Sequence, residues 1–365
     1  VNQIISHNFR NSVLRLTVLF WITFKLMSIN LWWSWQRTFP ELPLKEYLSN
    51  IPSRASDGLA ILSLSLLIVA LINPKRIILI LIFGLEIFLM SLDQMRWQPT
   101  IFQFMATIAI GFSQPKHFKF YLLFLLSVTY IFSRLHKLNL GFVNFLWGKF
   151  ILIDFLGIAP EIAFHRGVKA IGLALPLIEI IAGLFLWTRY RKIGWLLLIV
   201  MHLLLLLTLG PLGTNFNSII WPWNVLMIVF AILYLKDESL TFRLNYFKNL
   251  TGVVLILVLV ILPISSFFGK HSPLLSFSLY SGDSDYLYVH SSCLEIEKNA
   301  FKSMDFKDKT YRNVFDWSMT ELNVPMVPYG PVFMDFKYYF NKQCSAHSEF
   351  LIRSYPYKLE QTLDF

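Results

Sequence analysis

The sequence predicts an all-α polytopic membrane bundle of about nine transmembrane helices, followed by a small extracytoplasmic α+β domain. Three observations predict it. Of the 365 residues, 56% are hydrophobic and only 15% are charged, against about 25% charged in soluble domains. Apolar runs of spanning length recur as far as Phe268 and then stop. The charge balance changes at the same place. Residues 1–268 hold 22 Lys and Arg against 10 Asp and Glu, whereas residues 269–365 hold 10 against 12. This composition excludes a water-soluble globule. It also excludes disorder, which needs low hydrophobicity and high charge. Two cysteines are too few for a disulfide-rich scaffold or a cysteine-based zinc module.

A helix crosses the hydrocarbon with about 20 apolar residues. On that rule the spans fall near 14–35, 57–73, 77–94, 100–114, 120–134, 168–188, 193–210, 219–235 and 250–268. Pro74-Lys75-Arg76, Pro115 to Lys119, Arg189 to Lys192 and Lys236 to Lys248 form basic connections. In a nine-span arrangement all four share one side with Arg10 and Arg15. The positive-inside rule makes that side cytoplasmic and sends the C-terminal region outside. The first apolar run is long and lacks a small-residue cleavage site, so it reads as an uncleaved signal-anchor. An inner-membrane protein of a bacterium, in direct contact with the bilayer, is the expected setting. A basic face in water is missing, which argues against a nucleic-acid partner.

The opposite side carries longer connections. Residues 36–56 are polar and aromatic. Residues 135–167 are too apolar for an open loop, and Phe142 to Leu156 could lie at the interface or re-enter the membrane. A third connection, Gly210 to Asn217, leads into Trp221-Pro222-Trp223-Asn224. These aromatics suit an interfacial belt.

The boundary after Phe268 separates a transmembrane domain, 1–268, from a C-terminal domain, 269–365. In the second, Ser276 to Tyr280 and Tyr286 to Val289 read as strands about the turn signal Ser281-Gly282-Asp283. Val332 to Gln343 has helical spacing, and Phe350 to Arg353 reads as a last strand. Cys293 and Cys344 would share an oxidising compartment there, which favours a structural disulfide. Their spacing gives little support to a redox-active dithiol.

Ionisable residues at membrane depth are costly, so each is a functional candidate. Lys25 could snorkel or pair with Glu86. Glu179 follows Pro176 in an otherwise apolar run and needs a partner. His202 opens a leucine run, where it is either a hydrogen-bonded core histidine or a functional one. Lys137, in Arg134-Leu135-His136-Lys137-Leu138-Asn139, is either an interfacial anchor or a base. Apolar surroundings would disfavour its protonated form and lower its pKa, leaving an amine that could act as the base.

Three stretches resemble the HTTM domain, the membrane domain shared with vitamin K-dependent gamma-carboxylase. Leu92-Asp93-Gln94-Met95-Arg96-Trp97-Gln98 resembles a short outer turn with a Trp followed by an amide. His136-Lys137-Leu138-Asn139 is similar to a Lys-Lys-Leu-Asp element at a span end. Leu177 to Leu186, then Arg191-Lys192-Ile193-Gly194 and His202, resembles an acidic-x-x-Ala-Gly helix, a basic turn and a span with His. The resemblance covers roughly residues 14–240. It implies a quinone or quinol lipid, vitamin K-like, as cofactor. Lys137 would be the base that deprotonates the quinol. His202 and Glu179 would be its catalytic neighbours, and His136 and Trp97 would contact the lipid. The chain departs from the family in having His136 where the carboxylase has a first lysine. It also lacks the large lumenal region that holds the carboxylase's protein substrate. A looser resemblance runs to DoxX/MauE-like membrane proteins.

Two functions from different classes follow. One is a quinone-binding membrane enzyme with Lys137, His202 and Glu179 as its catalytic set. The other is a non-catalytic membrane subunit that anchors or docks an exported protein partner through the C-terminal domain. No P-loop, dinucleotide fingerprint, His-Glu-x-x-His or Gly-x-Ser-x-Gly occurs, so nucleotide-driven and common hydrolase chemistry lack sequence support, and no metal is expected.

Overall fold

A computed structural model describes residues 2–35, 37–236, 244–268, 276–278, 281–293, 303–344, 346–355 and 359–362. The fold is mostly helical, with a small antiparallel sheet near the C-terminus. The principal helices are α1 (Asn2–Met27), α2 (Ser53–Ile72), α3 (Arg76–Leu92), α4 (Pro99–Gly111), α5 (Pro115–Leu135), α6 (Arg166–Phe185), α7 (Arg191–Leu209), α8 (Trp221–Leu235) and α9 (Leu250–Ser266). The C-terminal region adds α10 (Val314–Leu322) and α11 (Gly330–Gln343).

Among the described residues, five helices are long and apolar enough to cross a membrane: α2, α5, α6, α7 and the segment Ser218–Leu235 that contains α8. Helices α4 and α9 are apolar but shorter. The first helix differs from its expected limits. It begins at Asn2 and stops at Met27, and a short helix, Ile29–Trp32, takes over before the chain becomes irregular. Part of the Lys236–Lys248 connection lies outside the described residues.

Local chemistry explains several helix starts. Pro115 and Pro222 stand in the first turns of α5 and α8, where a missing N–H costs nothing. The Asn249 side chain caps α9 by accepting from Gly252 N at 2.8 Å. Phe142 to Leu156, expected either to lie at the interface or to re-enter the membrane, is mostly a π-helix, Val143–Phe155. Its Trp147 indole donates to Val168 O at 2.8 Å and lies against Gly172, where any Cβ would fall 2.4 Å from the ring.

The chain forms two compact units, each discontinuous in sequence. The first comprises 1–24, 65–83 and 99–282. In it α6 packs on α5 and α7, and α7 packs on α8. A Cβ at Gly194 would come within 2.7 Å of Ala182 O, so the α6–α7 approach depends on that glycine, as small residues allow helices to close up.

The second unit comprises 25–64, 84–98 and 283–365. Its sheet has strands β1 (Ser284–Ser291), β2 (Ser303–Phe306), β3 (Lys309–Asn313), β4 (Ser348–Tyr355) and β5 (Leu359–Thr362) in the order β2-β3-β1-β4-β5. All neighbours are antiparallel, with Tyr288 opposite Leu351 and Leu287 opposite Ile352. The expected strand at Ser276–Tyr280 is not formed by its described part. Ser276–Ser278 is a turn in which Phe277 has φ 69°, and Leu279 and Tyr280 lie outside the described residues. Tyr286–Val289 and Phe350–Arg353 fall within β1 and β4, and α11 covers the predicted helix. Phe336 stacks on Phe340 and meets Trp317 and Phe350 edge-on, forming the aromatic core between helices and sheet. Cys293 and Cys344 are joined in a disulfide.

Candidate functional site

Within the first unit, polar side chains from four helices gather around the C-terminal half of α5. Tyr130 and Arg134 lie one turn apart on that helix, and Lys137 follows in the turn that ends it. The i, i+4 spacing puts Tyr130 and Arg134 on one helical face. Tyr130, Arg134 and Lys137 are all buried, at 3%, 4% and 4% exposure. Such burial demands partners, because an unpaired polar group away from water costs several kcal/mol.

Arg134 finds the most partners. Its Nε donates to the Glu179 carboxylate of α6, forming an ion pair, and its Nη1 donates to Ser133 Oγ at 2.9 Å. Glu179, a costly acid in an apolar run, is thereby neutralised. Lys137 is different. Among the described residues its Nζ makes no hydrogen bond or ion pair, and its nearest described aromatic partner is the Phe142 ring, with a centroid 6.0 Å away. The turn that carries Lys137 is fixed by Asn139, which donates from Nδ2 to His136 O at 2.7 Å and accepts from Phe142 N at 2.8 Å. Lys137 lies beyond the last residue of α5. Burial there pushes its ammonium well below the ordinary lysine range; Arg134 adds to the push and Glu179 opposes it. Burial thus disfavours the ammonium relative to the amine.

His202 of α7 is fully buried and uses both ring nitrogens. Nδ1 lies 2.7 Å from Asn224 Oδ1 on α8, and Nε2 lies 2.9 Å from the Tyr130 hydroxyl. The Asn224 amide donates from Nδ2 to Ile220 O at 2.9 Å, which leaves Oδ1 as an acceptor. His202 therefore carries its proton on Nδ1, and Nε2 accepts from Tyr130 O–H. Trp223, just before Asn224, donates from its indole to Gln103 Oε1 at 2.8 Å, and Gln103 Nε2 reaches Met227 Sδ at 3.2 Å. One set of hydrogen bonds thus ties α5, α7 and α8, and a second ties α4 to α8.

Glu179 and His202 both reach α5, at Arg134 and Tyr130 respectively, and Lys137 in the turn after α5 feels the charges of Arg134 and Glu179. His136 does not share this arrangement. Its ring stacks on Phe267 at 4.3 Å, with Nε2 3.3 Å from Ser266 Oγ. Its imidazole lies partly buried outside the helical span and is pushed down to about 4 by that burial. Trp97 belongs to the second unit, where its indole donates to Met90 O at 2.9 Å. A shallow cleft of about 400 Å³ lies at the basic turn Arg189–Ile193 rather than at Lys137. Among the described residues no cluster of His, Cys, Asp and Glu could hold a metal ion.

Tyr130 and Asn224 are the residues that sequence reasoning missed. Asn224 sits in the Trp-Pro-Trp-Asn segment, which reads as an interfacial belt until its partner is seen. Tyr130 was detectable only through its spacing to Arg134 and Lys137.

The second unit has its own buried charges. Lys25 Nζ lies 2.9 Å from Glu86 Oε1 and 3.1 Å from the centroid of Trp32, and Glu86 also accepts from Ser63 Oγ. Arg96 donates to Leu89 O at 2.8 Å and to Leu31 O at 3.2 Å. Arg37 pairs with Asp93 at 2.6 Å. These contacts brace the irregular 28–50 segment. Glu321 of α10 does the same, accepting from Thr38 Oγ at 2.6 Å, Phe39 N at 2.8 Å and Trp317 Nε1 at 2.8 Å.

Comparison with family models, curated proteins and solved structures finds no match to this chain. The class that fold and site define is therefore a helix-rich protein with membrane-length apolar helices, a disulfide-bridged C-terminal sheet and a buried lysine beside a polar network.

Proposed function

We propose that this is an integral membrane protein that binds a quinone-like lipid between its helices and uses Lys137 as a proton-accepting base. The observation that carries the reading is the state of Lys137. It is buried, held in a braced turn, without a described hydrogen-bond partner, and next to an arginine already neutralised by Glu179. An amine kept neutral in this way is suited to take a proton from a weakly acidic hydroxyl. A membrane-soluble quinol is a ligand that brings such a hydroxyl into an apolar interior. The likeness of His136-Lys137-Leu138-Asn139 to the carboxylase element supports the same chemistry. Glu179 holds Arg134, and His202 bonds the Tyr130 hydroxyl one turn before Arg134 on α5.

The proposed setting is a bacterial inner membrane crossed nine times, with a cytoplasmic N-terminus and the disulfide-bridged domain outside. A second reading is a non-catalytic subunit that docks an exported protein. What favours it is the sheet, whose outer strands β2 and β5 each have one described neighbour and so an edge to which a partner strand could pair.

Native mass spectrometry of the gently solubilised protein, wild type beside Lys137→Ala, tests the choice. The expected result is a stoichiometric quinone-class lipid on the wild type that is lost from the variant. Bound protein partners with no quinone on either sample would overturn the enzyme reading in favour of the docking subunit.

A further inference from the structure

We infer that Tyr130 and His202 form a second proton carrier at the Lys137 site, which accepts a proton from a hydroxyl of the bound lipid. This rests on the lipid-binding reading above and specifies how a ligand with two hydroxyls is held.

The comparison that singles out Tyr130 lies within the same unit. Tyr121 donates its hydroxyl to Tyr246 O at 2.8 Å, and Tyr234 donates to Lys119 O at 2.7 Å. Buried Thr107 and Thr129 likewise donate to backbone carbonyls four residues back, each at 2.8 Å. A peptide carbonyl satisfies a buried hydroxyl but cannot accept its proton outright. Tyr130 instead donates to an imidazole nitrogen, a base strong enough to keep the proton. The other side of the imidazole is prepared as well. Its Nδ1–H points at Asn224 Oδ1, an acceptor that is retained, and strengthened, when the ring becomes an imidazolium. Asn224 is itself held by Ile220 O, so the tautomer is set before any ligand arrives. Asn224 is a positioning residue, and Tyr130 is the group that touches the ligand.

The proton balance is simple. The ligand's O–H bond breaks and its proton bonds to the Tyr130 oxygen. The Tyr130 proton bonds to His202 Nε2. The ligand oxygen keeps the electron pair and the ring becomes a cation. No electron acceptor is needed for this step. Tyr130 and Lys137 are seven residues apart, with α5 ending between them at Leu135. The ligand class that fits both ends is an aromatic ring with hydroxyls on opposite sides, one directed to Lys137 and the other to Tyr130. Arg134, between them in sequence, is engaged by Glu179 and Ser133.

The test is infrared difference spectroscopy of the full chain in nanodiscs with menadione as the probe, reduced at an electrode. The protein carries isotope-labelled tyrosine and histidine. Wild type, Tyr130→Phe and Asn224→Ala are compared, with menadione binding measured separately. The expected result is one tyrosine band and one histidine band that respond to reduction. Tyr130→Phe should lose the tyrosine response in the fraction that binds menadione, and Asn224→Ala should shift the histidine band by altering the tautomer. If menadione binds the wild type but no tyrosine responds, or the response survives in Tyr130→Phe, the Tyr130–His202 carrier is wrong and the lipid-binding reading stands. If menadione does not bind the wild type, both fall together.

Discussion

Arg134 and Glu179 form an ion pair between α5 and α6, one helical turn along α5 from Tyr130, whose hydroxyl is hydrogen-bonded to His202. Both side chains are largely buried, at 5% and 15% exposure. Breaking one partner of such a pair strands the other charge, which typically costs about 3–5 kcal/mol, whereas removing both together is far milder. Glu179→Gln and Arg134→Met should each destabilise the protein by that order, and the double variant by clearly less than their sum. A double-mutant cycle from thermal unfolding in detergent measures the coupling; additive losses would show that the pair is not formed.

His136 should give the protein an acid-sensitive window. Its imidazole is held down to about 4 by burial, against an ordinary value of about 6.5 in the unfolded chain. The unfolded state therefore binds the extra proton first, so the contribution is intact above about 6.5 and declines as pH falls toward about 4. His136→Phe keeps the stacking on Phe267 and should flatten that part of the profile. Unfolding midpoints between these pH values, measured on both proteins, check it.

Reduction should loosen the C-terminal domain. The bridge between Cys293 and Cys344 closes a separation of 51 residues, which a chain-entropy account values at roughly 4 kcal/mol. Cys293→Ser with Cys344→Ser should lower that domain's unfolding midpoint and speed hydrogen exchange in β1 and β4. Unchanged exchange would mean that the bridge adds nothing to stability.

Two glycines should respond in opposite directions. Gly194→Ala drives a methyl to 2.7 Å from the Ala182 carbonyl, so α6 and α7 must part, at a cost of about 1–3 kcal/mol. Gly58→Ala in α2 meets nothing within 4 Å, and the better helix former should stabilise by up to about 1 kcal/mol. Differential scanning of the two variants beside wild type separates the packing requirement from helix propensity.

Lys25 and Glu86 supply a parallel test in the second unit. The pair is buried, 2.9 Å apart, with the ammonium over Trp32. Glu86→Gln should cost several kcal/mol, and Lys25→Met added to it should recover much of the loss. Failure of the second change to rescue would show that Lys25 is held by Trp32 alone.

Much of this architecture was legible in the sequence for one reason: the hydrocarbon imposes a length and a composition on a helix that no soluble fold needs. The runs at 57–73, 120–134, 168–188, 193–210 and 219–235 each coincide with a helix of membrane length. The strands at Tyr286–Val289 and Phe350–Arg353 were legible from alternation and turn residues. Phe142–Leu156 was legible as helical and apolar but not as a π-helix, because composition does not encode which carbonyl an N–H selects. The first span was placed too far along the chain, since hydropathy follows apolar content while the helix itself starts in a polar stretch at Asn2.

The sequence by itself determined the class of protein, the buried ionisable residues and the two cysteines, because burial cost and chain composition are properties of single residues and short windows. Only the tertiary structure decided who answers those costs. Glu179 is answered by Arg134, 45 residues away, and His202 by Tyr130 and Asn224, 72 and 22 residues away. Lys137 is left without such an answer among the described residues. A hydrogen-bond partner is a relation between helices, fixed by how their faces pack, and no window of sequence contains it.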